Sequence, residues 1–159
     1  MADFDDLVGR LDYPMLVVTV NDGRRLAGCL VGFASQCSID PPRYMVWLSK
    51  NNHTYTVARG VDRLAVHVLT PENRPLAALF GTVTGFDEDK FARCAWRDGP
   101  YGVPLLLDCP QWFVGEVLAR YDTGDHEGVL LAPVAVGEGT GLGQLGFQTV
   151  RDLDAGNEA

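Results

Sequence analysis

The chain has 159 residues, with 13 Lys and Arg against 21 Asp and Glu, so its net charge of −8 at neutral pH sets a long-range field that repels nucleic acid and anionic lipid. Apolar residues make up 47% and charged residues 21%, a balance that supports a packed core, and the length fits a single domain over 1–159. Eighteen glycines and nine prolines imply many turns between short elements and argue against a helical bundle.

Residues 3–10 have the spacing of a short amphipathic helix with Phe4, Leu7 and Val8 turned inward. Tyr13-Pro14 ends it. The β-branched run 15–20 reads as a strand, and Asn21-Asp22-Gly23, which tolerate positive φ, join it in a hairpin to a second strand over 25–34. Pro41-Pro42 interrupts any regular element, and 44–48 resumes as a third strand. A helix over 51–59 follows, capped by Asn and closed by Gly60. The alternation over 64–69 predicts a fourth strand, and Thr70-Pro71-Glu72-Asn73 opens a helix that buries Leu76, Ala77, Leu79 and Phe80. From 81 to 104 the pattern dissolves into turns, with one helical turn at 87–91. Strand-like runs return at 105–108, 112–121 and 129–136. About seven strands with a few short helices close most naturally into an antiparallel barrel with helical inserts, because closure removes exposed edges. The polar residues 154–159 are expected to pack poorly.

The acidic N-terminus lacks the basic region and apolar run of an export signal, and no apolar stretch approaches the roughly 18 residues that span a membrane, so a soluble, cytoplasmic protein is expected. Cys29, Cys37, Cys94 and Cys109 are then free thiols, and with no Cys-x-x-Cys and three scattered histidines no metal site is expected.

Gly141-Leu142-Gly143-Gln144-Leu145-Gly146 matches the glycine pattern of a dinucleotide fold. Only 13 residues follow Gly146, too few for the crossover helix and second strand, so a flexible turn is the expectation. Three other segments carry chemistry. Phe33, Ala34, Ser35, Gln36, Cys37 and Ser38 form a small, polar loop, either one that satisfies its own backbone or one whose N–H groups approach a planar heterocycle, held in shape by the diproline. Ser49, Lys50, His53 and Thr54 surround a helix start, either as plain capping with a solvated lysine or as a phosphate site. Asp125 and His126 lie in a turn between strands, where a histidine is either simply exposed or meets a ligand. His67, mid-strand, is assigned to packing or the surface.

Taken in order, these pieces resemble the flavin reductase-like family with the FMN-binding split-barrel fold. The resemblance spans about 13–136 and rests on Gly28-Cys29-Leu30-Val31, the Ser-rich loop ending in Asp40-Pro41-Pro42, Ser49-Lys50-Asn51-Asn52-His53-Thr54, Ala65-Val66-His67-Val68-Leu69, Asp89-Lys90-Phe91, Gly102-Val103-Pro104-Leu105-Leu106 and Gly124-Asp125-His126. It implies a mainly β, antiparallel split barrel holding FMN, or FAD, with the ring against 33–38 and the phosphate near Ser49, Lys50, His53 and Thr54. It places Asp125 and His126 beside the flavin and an NADH or NADPH donor. Hydride would pass from nicotinamide to flavin, the cofactors carrying the reactivity, while Cys37 would tune the flavin or fill space. A homodimer is implied, and so is a monooxygenase partner. The alternatives are a deazaflavin-dependent oxidoreductase on the same fold, a flavin- or haem-binding carrier without turnover, and an interaction module without a cofactor.

Overall fold

The structure is a computed structural model that describes residues 2–86, 88–140 and 143–153. Helix α1 (Ala2–Val8) precedes the hairpin of β1 (Leu16–Asn21) and β2 (Leu26–Val31). Then come β3 (Ala34–Ser38), β4 (Arg43–Ser49), α2 (His53–Ala58) and β5 (Arg63–Val68). Helix α3 (Arg74–Thr82), strands β6 (Trp96–Asp98), β7 (Pro104–Leu106), β8 (Trp112–Asp122) and β9 (His126–Val136), and α4 (Phe147–Val150) complete the order. The main sheet is antiparallel, in the order β2-β1-β5-β8-β9-β4-β3, and β6 and β7 form a separate ribbon.

Only Gly32 and Phe33 separate β2 from β3, yet these strands sit at opposite ends of the sheet. The chain thus leaves β1 and joins β4 within two residues, which brings the two edges together and splits the barrel at that point. The expected single strand over 25–34 is therefore two, and the expected loop over 35–38 is an edge strand. Its register runs Ala34↔Val46, Ser35↔Met45 and Gln36↔Tyr44, with an irregularity between Gln36 and Ser38.

Strand β1 is buried on both faces, which explains its unbroken apolar sequence. Leu16, Val18 and Val20 point into the barrel with Cys29, Val31, Val46, Leu48, Leu64, Val66, Val129 and Leu131. Met15 and Val17 point outward under α3, against Leu76, Ala77, Phe80 and Phe91. His67 is fully buried and satisfied at both ring nitrogens: Nδ1 lies 3.0 Å from the Val17 carbonyl, and Nε2 accepts from the Leu106 N–H at 3.1 Å.

Helix α1 does not bury the face expected of it: Phe4 and Leu7 are both more than half exposed. Ribbon strand β6 falls where no pattern was visible. The glycine-rich segment lies partly outside the described residues, which omit Gly141 and Leu142, but Gly146 is anchored rather than loose. It bridges to Pro14, and an added Cβ would meet the Asp12 carboxylate at 2.5 Å. The polar residues 154–159 also lie outside the described residues. Just before them Val150 is buried, in the same apolar cluster as Leu76 and Phe80.

Candidate functional site

The split in the barrel opens onto an apolar groove of about 750 Å³. Its floor comes from Met15, just before β1, and from β2 and β4 through Leu30, Val31 and Trp47, and its outer wall from α1 and α4. Tyr13 and Phe147 stack there at 4.8 Å, nearly parallel. Phe33, whose side chain is 52% exposed, reaches across the split, and its carbonyl accepts from the Trp47 N–H at 2.9 Å. The Trp47 indole covers Gly128, where a Cβ would come within 2.8 Å of Nε1.

The turn after β8 lies beside this groove because of register. Ser49, the last residue of β4, pairs with His126, the first of β9. Both side chains line the groove, and the His126 ring sits 4.9 Å from that of Phe33. His126 Nδ1 is 2.7 Å from Asp125 Oδ1. That hydrogen bond, with the imidazole's charge, holds the Asp125 carboxyl below its usual range.

A second, polar cavity of about 520 Å³ adjoins the groove. Arg24, Arg25, His53 and Lys90 line it with Glu88 and Asp89. Arg25 is paired with Asp22, Glu88 with Arg93, and Asp89 caps the turn at Phe91. Lys90 belongs to both cavities. It is 5% exposed, and its Nζ donates to the carbonyls of Gly28 at 2.8 Å and Phe80 at 3.0 Å, both neutral acceptors. Burial pushes its pKa down. Burial also lowers the His53 pKa, reinforced by the charges of Arg25 and Lys90, so this ring is neutral at pH 7. Its edge meets the Phe86 ring at 4.8 Å.

The structure thus brings Phe33, Ser49 and His126 to one groove and places His53 in the adjoining cavity. Ala34, Ser35, Gln36, Cys37 and Ser38 lie on β3, next to the groove but at the free edge. The carbonyls of Phe33 and Ser35 face β4, which leaves the N–H groups of Ala34 and Gln36 directed away from it. Lys50 is instead ion-paired with Asp122 at 2.6 Å, and Thr54 is buried, its N–H bonded to the Asn52 side chain at 3.0 Å. The helix that Asn52 caps has only six residues. Sequence reasoning did not single out Tyr13, Trp47, Phe147, Arg24, Arg25 or Lys90, which the structure places in the lining of these cavities. The paired arginines in the hairpin turn and the lone lysine between a capping Asp89 and a core Phe91 were the visible signals. Among the described residues no three His, Cys, Asp or Glu side chains converge as metal ligands.

A split antiparallel barrel with a groove at the split defines the class of protein. The flavin reductase like domain model matches residues 8–152, and the chain belongs to that family. It is 30% identical over 146 residues to a Rhizobium meliloti protein named "Probable flavin reductase", covering 89% of this chain and 45% of the relative. It is 31% identical over 107 residues to the 4-hydroxyphenylacetate 3-monooxygenase reductase component of Salmonella typhimurium, covering 65% of this chain and 63% of the relative. The chain therefore spans about half to two thirds of these relatives' lengths. The crystal structure of a flavin reductase domain protein from Arthrobacter superposes with a TM-score of 0.82 at 22% identity, covering 99% of this chain and 95% of the other. No helix among the described residues is long and apolar enough to cross a membrane.

Proposed function

We propose that this chain is an NAD(P)H-dependent flavin reductase that binds FMN and supplies reduced flavin to a monooxygenase. The observation that carries this reading is the junction at Lys90: an apolar groove large enough for a planar ring system adjoins a polar cavity that Lys90 and Arg24 line. A phosphorylated three-ring molecule has the same division, flat and apolar at one end and anionic at the other. FAD shares that division.

When bound, the flavin would accept a hydride from the reduced nicotinamide and hand the electrons on. The chain's own residues bind and orient. Tyr13, Leu30, Phe33 and Trp47 exclude water from the ring, and the outward N–H groups of Ala34 and Gln36 offer donors at its edge. Lys90, His53 and Arg24 take the phosphate, with Ser49 at the boundary. The overall −8 does not exclude an anion there, because Lys90 is buried and a buried cation is weakly screened. His126, held by Asp125, lines the groove against Phe33 and orients the donor.

The relatives' names support the partner: two are reductase parts of larger oxygenase or demethylase systems. The exposed apolar residues Phe4, Leu7, Leu11 and Phe33 support a homodimer, in which a second copy would cover them. Purified protein mixed with FMN and either NADH or NADPH should bleach the flavin's visible absorbance in the absence of oxygen. No bleaching with either donor would overturn the reading.

A further inference from the structure

Lys50 stands where a phosphate ligand is expected from the sequence, yet its contacts all lead to the turn that carries His126. Strand β4 ends at Ser49, opposite His126. The next residue crosses to the turn and grips it twice. The Lys50 N–H donates to the Asp125 carbonyl at 2.9 Å, and its Nζ meets Asp122 Oδ1 at 2.6 Å. The same Oδ1 accepts from the Gly124 N–H at 3.1 Å, while the Thr123 N–H and hydroxyl both donate to the His126 carbonyl, at 3.1 and 2.9 Å. Lys50, one residue beyond β4, thereby joins a backbone bond and a side-chain charge to this closed turn. It does not line the groove.

We infer that Lys50 is a positioning residue for His126, setting where the imidazole stands relative to the groove, and does not hold the phosphate. The Asp122 side chain is 76% exposed, so the ion pair is too well solvated to matter much for global stability. Its effect is local: it sets the height of a five-residue turn whose glycine, at φ +133°, has no side chain to brace it. This inference rests on the reading of His126 as the donor-facing group, and it assigns the specificity for nicotinamide partly to a residue that touches neither cofactor.

The test uses the whole protein, with Lys50→Ala, Lys50→Arg, Asp122→Asn and the Lys50→Ala/Asp122→Asn double variant. Lys50→Ala should raise the KM for the nicotinamide donor by about fivefold, the most that an exposed ion pair usually supplies, with FMN affinity by fluorescence quenching unchanged. Asp122→Asn should do the same, the double variant should be no worse than either single one, and Lys50→Arg should restore the wild-type value. Weaker FMN binding in Lys50→Ala with none in Asp122→Asn would overturn the inference in favour of a phosphate ligand, and an unchanged donor KM would overturn it outright. If the wild-type protein oxidises neither donor, the proposed function fails while the inference is still decided by NMR. The His126 ring resonances should shift in both single variants and return in Lys50→Arg; resonances that stay in place would overturn it.

Discussion

The ring of Phe33 lies 4.9 Å from the imidazole of His126, tilted by 43°, although the two residues stand 93 positions apart in the chain. One is at the crossing from β2 to β3, the other at the start of β9. Both line the groove. His126→Ala is expected to lower kcat/KM for the nicotinamide donor by about tenfold, on the order of 1.4 kcal/mol, and to leave FMN affinity within twofold. Phe33→Ala, which removes a wall of the groove, should weaken both. Stopped-flow reduction at varied donor, alongside fluorescence titration with FMN, separates the two outcomes.

Lys90 is buried, its Nζ donates to the neutral carbonyls of Gly28 and Phe80, and among the described residues no carboxylate is ion-paired with it. An incoming phosphate would supply the missing counter-charge. Lys90→Met should therefore raise the FMN dissociation constant by roughly tenfold or more, the range of a hydrogen bond to a charged group, and flatten its dependence on salt. Equal affinity at low and high salt in the wild type would contradict this assignment.

His67 makes folding stability depend on pH. Burial pushes its pKa down to about 4, whereas the unfolded chain has the ordinary value of 6.5, so the unfolded state binds a proton first as pH falls. The stabilisation is complete above 6.5, is lost steadily between 6.5 and 4, and changes no further below. The span corresponds to about 3 kcal/mol. Urea denaturation at pH 7, 5.5 and 4 should follow that slope. In His67→Leu the slope over this interval should shrink, at a cost of about 1–3 kcal/mol at pH 7 because the Leu106 N–H and Val17 carbonyl lose their partner.

Cys37 is exposed on the free edge strand β3, while Cys29 and Cys109 are buried and their thiols are pushed up by desolvation, that of Cys109 to about 12. Cys94 is half-buried and shifted in the same direction. A thiol reagent should label one cysteine rapidly in the native protein and four in denaturant. A bulky adduct on Cys37 should then abolish quenching by FMN; undiminished quenching would remove the β3 edge from the site.

Most of the strands were legible because their apolar residues are dense and β-branched, and the hairpin at Asn21-Asp22-Gly23 because positive φ there calls for Gly23, at +92°. Helix α3 showed itself through Leu76, Ala77, Leu79 and Phe80, all inward. The faces of α1 did not, since Phe4 and Leu7 have the spacing of a buried stripe and yet are both more than half exposed, Phe4 at an open groove. Periodicity reports that a face is apolar and is silent about what covers it. Segment 35–38 read as a loop because small polar residues favour turns, but pairing with β4 outweighs that preference.

The sequence by itself determined the antiparallel barrel, the acidic charge and the order of motifs that places the chain in its family, because these depend on composition and on spacing along the chain. Only the tertiary structure decided which polar groups share a site. Ser49 meets His126 through the β4–β9 register, Lys50 turns to Asp122, Thr54 goes inside, and Lys90 arrives from a stretch without pattern to join two cavities. Such meetings are set by strand order and register, in which a shift of one residue reverses every side chain, and no local pattern encodes them.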